Sequence, residues 1–570
     1  MEKKSTAKYT GAQILMKALK DEGVDTIFGY PGGAVLDVYN ELPNTDIRHI
    51  LVRQEQGAVH AADAYARVSG RTGTCLVTSG PGATNAVTGI ASAYMDSIPV
   101  VIFTGQVPTP LIGNDAFQEV DIVGISRPCT KHNYLVKNVN DLARTIREAY
   151  YIAGSGRPGP VLVDIPKDVL RSAAPYSYQK DIQIRSYNPT YEPNIKQLQK
   201  VIDLIQAAKQ PVIFTGGGVI LSDASAELTR FARACRVPVT SSLMGLGAFP
   251  ASDPLWLGML GMHGTYRANL AVSSCDLLIG IGVRFDDRVT GKTDEFADKA
   301  TIVHIDIDPT SIQKNVAVDV PIVGDCRITL KHLNKLAAAQ KPLLDDKALK
   351  DRNKWFKQII QWKEDNMMGY DQKKIIKPQY VVEKLFELTR GEAIITTEVG
   401  QNQMWAAQYY HFDKPRHFVT SGGLGVMGFG LPAAIGAQVA CPDKTVINIA
   451  GDGSIQMNIQ EMMTAVSNNL PVKIAILNNG YLGMVRQWQE LFYDRRYSST
   501  NMEAAPDFVK LAEAYGAVGL RATRPEEVGP VIREALATPK TVMIDFVVER
   551  EENVYPMVPA GSPITNMILV

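Results

Sequence analysis

The 570-residue chain has room for three or four domains at about 150 residues each. Hydrophobic residues make up 45% and charged residues 21%, which excludes a disordered tail protein and a disulfide-stapled miniprotein. Lys+Arg equals Asp+Glu at 59 each, and no five like charges run together, so nucleic acid is not an expected partner.

The start, MEKKSTAKYTGAQILMKAL, has basic residues but no continuous apolar stretch, so no leader is expected. From there, short apolar strands alternate with amphipathic helices almost throughout. This predicts an α/β protein with doubly wound parallel sheets in three domains. The first block, residues 1–175, has strands at 74–80, 99–105 and 160–166. A polar stretch over 172–194 with three prolines reads as a linker. The second block, 195–335, has strands at 211–218, 276–282, 301–309 and 321–325. A charged connector fills 336–375, where Trp355, Ile359 and Trp362 share one helical face that is expected to dock on a domain. The third block, 376–550, carries EAIITTEVG, TVINIAGDG, PVKIAILNN and TVMIDFVVE. Residues 551–570 hold Pro556, Pro559 and Pro563, so they read as an arm that needs a surface to lie on. Gly80 leads Pro99 much as Gly451 leads Pro471, and both prolines are followed by Val-x-Ile. This weak repeat suggests that the outer blocks are alike and the middle one different.

The strongest chemical signal is TVINIAGDGSIQMNIQEMMTAVSNNLPVKIAILNNG. A buried strand ends in Gly451-Asp452-Gly453, and 24 residues later a second strand ends in Asn478-Asn479. A strand, a helix and a parallel strand take about that length, so both ends emerge side by side at the carboxyl edge of a sheet. An Asp carboxylate and an Asn carbonyl there suit a hard cation such as magnesium, and the glycines let backbone N–H groups approach a pyrophosphate. The cysteines, at 75, 129, 235, 275, 326 and 441, form no CxxC pair, and the eight histidines form no HExxH. Scattered thiols fit a reducing cytoplasm, and no run of 18 apolar residues predicts a membrane span.

Other segments speak less clearly on their own. Glu55 opens a predicted helix in HILVRQEQGAVH, where a helix N-terminus favours a carboxylate. TSGPGATNAVTGI at 78–90 reads G-x-G-x-x-N from Gly80, and no acid ends the next strand. It is therefore a strand-to-helix turn and not a dinucleotide fingerprint. Gly32 and Gly33 give bare backbone at a strand end. In the middle block, acids at strand ends suit ribose hydroxyls and arginines suit a pyrophosphate. Met484, Trp488 and Leu491 share a helical face, a stripe that is core more often than pocket.

The GDG–NN segment resembles the thiamine-diphosphate binding motif, and the resemblance extends over nearly the whole chain to the catalytic subunits of acetohydroxyacid (acetolactate) synthases. It implies a thiamine-pyrimidine domain, a central FAD domain and a thiamine-pyrophosphate domain, in that order. Asp452, Asn479 and the main-chain carbonyl of Tyr481 would hold magnesium on the diphosphate. Glu55 would hydrogen-bond N1′ of the aminopyrimidine. Gly33 would face the reacting carbon, and Phe117, Gln118 and Lys167 would line the substrate pocket, with Gly33, Gln118 and Lys167 serving catalysis beside Glu55. Pro81, Asn85, Val399, Gly400, Gln401, Gly425, Met427, Gly451, Gly453, Ser454, Gly483 and Met484 would line the thiamine. FAD would lie on Gly217, Met262, His263, Gly264, Arg284, Asp286, Arg288, Asp306 and Asp325, with Arg157 reaching over from the first block. Met262 and Arg288 would also border the substrate channel, and Trp488 would favour 2-oxobutyrate as second oxo acid.

The implied reaction is decarboxylation of pyruvate and ligation of its two-carbon unit to pyruvate or 2-oxobutyrate. This is the first common step towards valine, leucine and isoleucine. A cytoplasmic homodimer or homotetramer with sites at the subunit interface is implied, with a small regulatory subunit as a further candidate partner; closure of residues 551–570 over the site is a separate hypothesis. Three alternatives stand beside it: a pyruvate oxidase using thiamine and FAD, an FAD-free catabolic acetolactate synthase, and a non-catalytic homologue. The proline-broken arm argues against the membrane-binding helix of some oxidases. Intact Glu55, Asp452 and Asn479 argue against the homologue.

Overall fold

The computed structural model describes residues 7–365 and 368–569. Residues 1–6 of the segment in which no leader is expected, residues 366–367 of the connector and Val570 of the arm lie outside the described residues.

Three six-stranded parallel sheets follow one another along the chain. In chain order, the strands of the first are Thr26–Gly29, Arg48–Leu51, Gly73–Val77, Val100–Gln106, His132–Leu135 and Val161–Pro166. Across the sheet they lie second, first, third, fourth, sixth, fifth. The strands of the third sheet, Ile394–Thr397, Phe418–Val419, Val446–Gly451, Lys473–Asn478, Val518–Ala522 and Val542–Val547, repeat that order. The middle sheet, Pro211–Thr215, Val239–Ser241, Trp256–Met259, Leu277–Ile281, Thr301–Asp306 and Val320–Val323, runs third, second, first, fourth, fifth, sixth. The outer pair are thus topological copies around a different centre, as the Gly-to-Pro rhythm suggested. Parallel strands covered on both faces are largely apolar, and Val161–Pro166 and Leu277–Ile281 are buried at every position, Asp164 being the one charged residue among them.

The outer domains meet through helices Glu55–Ser69 and Gly430–Ala440, the most extensive helix pairing among the described residues. Both are rich in Ala and Gly, so their backbones approach closely. Arg67 is buried beside this contact, with Asp63 at 2.5 Å and Asp96 at 2.8 Å. Asp96 in turn accepts from the N–H groups of Gly422 and Gly423 in the third domain. A buried cation with two carboxylates and added N–H donors satisfies the cost of desolvation locally.

The connector helix Asp346–Glu364 docks on the middle domain as expected. Trp355 donates its indole N–H to the Pro211 carbonyl at 3.2 Å and meets Trp362 edge-on. Arg352 caps the helix Ile195–Ala207 by donating to the carbonyls of Ile205 and Ala208. The arm doubles back on itself through turns, Met557 pairing antiparallel with Ile568, and buries Val554, Met557, Val558 and Ile564. Its Val558 N–H donates to the Met262 carbonyl at 2.8 Å, which seats it on the middle domain. No helix among the described residues is long and apolar enough to cross a membrane.

Candidate active site

In each sheet the chain reverses its winding direction between two central strands, and the loops leaving those strands splay apart. In the third sheet those loops are 398–403 and 451–454. Asp452 follows directly on its strand, is 1% exposed, and neither carboxylate oxygen has a hydrogen-bond partner among the described residues. Burial pushes its carboxyl up to about 7. Asn479 stands at the end of the adjacent strand. Its Oδ1 accepts from the Tyr481 N–H at 3.1 Å and its Nδ2 donates to Gln401 Oε1 at 3.2 Å. A buried carboxylate with no partner is costly unless a cation meets it. No group of three or more His, Cys, Asp or Glu that could hold a metal occurs among the described residues. The donors at this cleft are instead one carboxylate, an amide oxygen and main-chain oxygens, the set magnesium takes. These residues fit magnesium.

A cleft of about 60 Å³ is lined by Val399, Gly400, Gln401, Gly451, Asp452, Gly453, Ser454, Asn479, Tyr481, Gly483 and Met484. Val399, Gly400, Met427 and Met484 also line a much larger cavity of about 790 Å³. That cavity runs from the third domain over the switch point of the middle sheet. It takes in Arg157, Gly217, Met262, His263, Arg284, Asp286, Arg288, Asp306, Asp325, Gly425 and Trp488. Gly264 does not line it: it closes a turn, its N–H donating to the Gly261 carbonyl.

The middle-domain acids each hold a local turn as well. Asp286 accepts from the Arg288 N–H, Asp306 from the Asp308 N–H, and Asp325 caps the helix Cys326–Ala339 through the Ile328 N–H. Burial pushes Asp306 up to about 6. Arg157 bridges the first and middle domains through Ser97 at 2.8 Å and Asp308 at 3.0 Å. The backbone at Gly218 touches that at Gly282, where an added Cβ would come within 2.7 Å of Gly282 Cα. Bare glycine backbone, strand-end acids and arginines around an elongated cavity fit a dinucleotide such as FAD.

The stripe on helix Gly483–Phe492 divides: Met484 packs against the core and also borders the cavity, Trp488 borders the cavity, and Leu491 lines neither cavity. Met484 and Trp488 line the cavity, while the buried face of that helix carries Arg486 and Gln487. The Arg288 guanidinium lies 6.0 Å from the Trp488 ring centroid.

The remaining predicted first-domain residues lie apart from both cavities. Glu55 begins the helix Glu55–Ser69, and its Oε2 accepts from Asn85 Nδ2 at 3.0 Å. Gly80 adopts φ +59°, and a Cβ there would meet the Gln118 carbonyl at 2.8 Å, so the 78–85 turn and the 117–118 loop press together. Gln106 steadies that loop by donating to the Val120 carbonyl and to buried Asp164. Phe117 is 89% exposed. Lys167 opens the helix Lys167–Arg171. Gly33, Glu55, Pro81, Asn85, Phe117, Gln118 and Lys167 line neither cavity. Within one chain, Glu55 and the Asp452 cleft are therefore on distinct surfaces.

Several residues escaped the sequence reading. Glu398 is fully buried at a strand end and accepts from the N–H groups of Gly428 and Leu431 and from Ser454 Oγ, and burial raises its carboxyl. Its place at the end of EAIITTEVG was a usable signal. Asp96 and Gln487 gave none, because their partners are remote in sequence.

Three family models match in chain order: the N-terminal binding domain of thiamine pyrophosphate enzymes over residues 9–125, their central domain over 198–333 and their C-terminal binding domain over 398–546. The chain is 50% identical to the acetolactate synthase large subunit of Haemophilus influenzae, over 99% of this chain and 98% of that protein. It is 50% identical to the acetolactate synthase isozyme 3 large subunit of Escherichia coli, over 98% of each. Identity to the acetolactate synthase large subunit of Corynebacterium glutamicum is 49%, over 97% of this chain and 89% of that one.

Proposed function

Because the chain belongs to the acetolactate synthase large-subunit family of thiamine pyrophosphate enzymes, we propose that it decarboxylates pyruvate and joins the two-carbon unit to a second pyruvate or to 2-oxobutyrate. The observation that carries the reading is the partnerless buried carboxylate of Asp452, set beside Asn479 in a cleft that opens into the large cavity. The step serves branched-chain amino-acid synthesis.

Thiamine diphosphate, when bound, would supply a carbon nucleophile for the keto carbon of pyruvate and an electron sink for the loss of its carboxyl group as carbon dioxide. Asp452, Asn479 and the Tyr481 carbonyl would hold magnesium and through it the diphosphate. The Glu55 carboxyl, oriented by Asn85, holds and returns a proton at N1′ of the aminopyrimidine. Since Glu55 and Asp452 lie on distinct surfaces of one chain, the complete site takes Glu55 from one copy and Asp452 from another in a homodimer or a tetramer of dimers. Gly33, Phe117, Gln118 and Lys167 come with Glu55, and the Lys167 ammonium suits the carboxylate of a 2-oxo acid. Arg288, beside Trp488, offers a second cation for the acceptor acid.

FAD would sit on Gly217, Arg284, Asp306 and Asp325 with no redox part in the net reaction. Because the relatives are named as large subunits, a small partner subunit is part of the proposal. Incubation with pyruvate, thiamine diphosphate, magnesium and FAD tests the reading. Acetolactate formed without oxygen uptake is expected, whereas stoichiometric oxygen uptake would make the protein an oxidase.

A further inference from the structure

The start of the arm is held by two buried glutamines that touch each other, and one of them touches Asn479. Gln487 is 0% exposed and pairs with Val554 as a second strand would. Its Oε1 accepts from the Val554 N–H at 2.9 Å and its Nε2 donates to the Val554 carbonyl at 3.0 Å. Gln401, 3% exposed, donates from Nε2 to Gln487 Oε1 at 3.0 Å and to the Glu552 carbonyl at 2.9 Å. Its Oε1 is left to accept from Asn479 Nδ2 at 3.2 Å.

The direction of every amide in this chain is fixed by backbone groups that cannot reverse. A main-chain N–H only donates and a carbonyl only accepts. Val554 therefore sets which end of Gln487 faces it. Gln487 Oε1 and the Glu552 carbonyl together demand a donor from Gln401. With its nitrogen so engaged, Gln401 presents oxygen to Asn479, and Asn479 must answer with its NH2. Its carbonyl then points the other way, towards the Tyr481 N–H and the cleft of Asp452. A reversed Asn479 would set oxygen against oxygen at Gln401 and an NH2 against the Tyr481 N–H, in a site too buried for water to repair.

We propose that Gln401 and Gln487 are positioning residues through which docking of the C-terminal arm sets the carbonyl direction of Asn479, and so the affinity of the site for magnesium. The proposal rests on the reading of Asn479 as a magnesium ligand. It makes metal affinity sensitive to residues 552–554, which do not line the cleft. Supporting groups of this kind change metal affinity by about 10–100-fold when lost, and the Tyr481 N–H, still in place, keeps the expectation at the lower end.

The test is a calorimetric titration of the full chain with magnesium at fixed, saturating thiamine diphosphate. Gln487→Met should weaken magnesium binding about tenfold. A chain ending at residue 550 should show the same shift, and Gln487→Met in that shortened chain should add nothing, because both changes cut one relay. If the shortened chain does not fold, judged by circular dichroism, Gln401→Met with the Gln401→Met/Gln487→Met double variant takes its place under the same rule. Unchanged magnesium affinity in Gln487→Met, or shifts that multiply, would overturn the proposal. Asp452→Ala separates the two levels. If it abolishes binding while Gln487→Met does nothing, the metal site stands and the relay falls. If Asp452→Ala binds normally, the metal reading itself falls and takes the relay with it.

Discussion

Asn85 donates its side-chain amide to the Glu55 carboxylate at 3.0 Å, joining loops that leave two different strands of the first sheet. The contact fixes where the carboxyl points while leaving Oε1 to a ligand. Glu55→Gln should retain thiamine diphosphate binding and lose about two to four orders of magnitude in turnover, the usual worth of a positioned acid-base group. Asn85→Leu should cost about tenfold, the lower range for a hydrogen bond to a charged group. Steady-state rates with pyruvate, alongside calorimetric cofactor binding, check both. Near-wild-type turnover in Glu55→Gln would contradict the assigned role.

Asp452 makes magnesium binding pH-dependent. With its carboxyl pushed up to about 7 in the metal-free protein, magnesium must displace a proton below that pH. Apparent affinity should fall about tenfold per pH unit below 7 and level off above it. The same burial acts on stability. In the unfolded chain the carboxyl titrates near 4, so between about 4 and 7 the folded chain binds more protons. The stability this group contributes is complete below about 4 and is lost as pH rises through 7. Asp452→Asn should therefore raise the melting temperature of the metal-free protein at pH 8 and leave it nearly unchanged at pH 4.

Gly217 borders the large cavity, and an added Cβ would meet nothing nearer than Met244 Cβ at 3.4 Å. A larger side chain at that position has space only where FAD would lie. Gly217→Phe should fold with unchanged circular dichroism and lose the visible flavin absorbance of the wild-type protein. Equal flavin content in the two would remove FAD from this cavity.

Trp488 reaches the cavity from the helix that follows the Asn pair, opposite Arg288. Trp488→Leu should lose preference for 2-oxobutyrate over pyruvate in a competition assay while still forming acetolactate. An unchanged product ratio would exclude a role in acceptor choice.

The three-sheet architecture was legible because most central strands are short apolar runs, several of them ending in Gly, Asp or Asn turns such as Gly451-Asp452 and Asn478-Asn479. The Gly80–Pro99 and Gly451–Pro471 intervals suggested that the outer units are alike, and the strand orders of the two sheets agree with that. Asp452 and Asn479 were legible because their strands are adjacent both in sequence and in the sheet. The role of Glu55 was not readable from its surroundings: a first-turn carboxylate serves the helix dipole wherever it occurs. Only the resemblance to the family singled it out. The Met484–Trp488 stripe was ambiguous for the opposite reason, since apolar periodicity marks a covered face without saying whether protein or ligand covers it. The Asp96 bridge to Gly422 and Gly423 and the Gln401–Gln487 pair were invisible, because they join segments that only folding brings together.

The central claim is that a complete site draws Glu55 from one copy of the chain and Asp452 from another. The most direct measurement mixes Glu55→Gln and Asp452→Ala chains, each inactive alone, after reversible dissociation. Random pairing should restore about a quarter of wild-type acetolactate synthesis, because half the dimers are mixed and each mixed dimer has one intact site. No activity above that of the separate variants would contradict the shared site and require Glu55 and Asp452 to serve within a single chain.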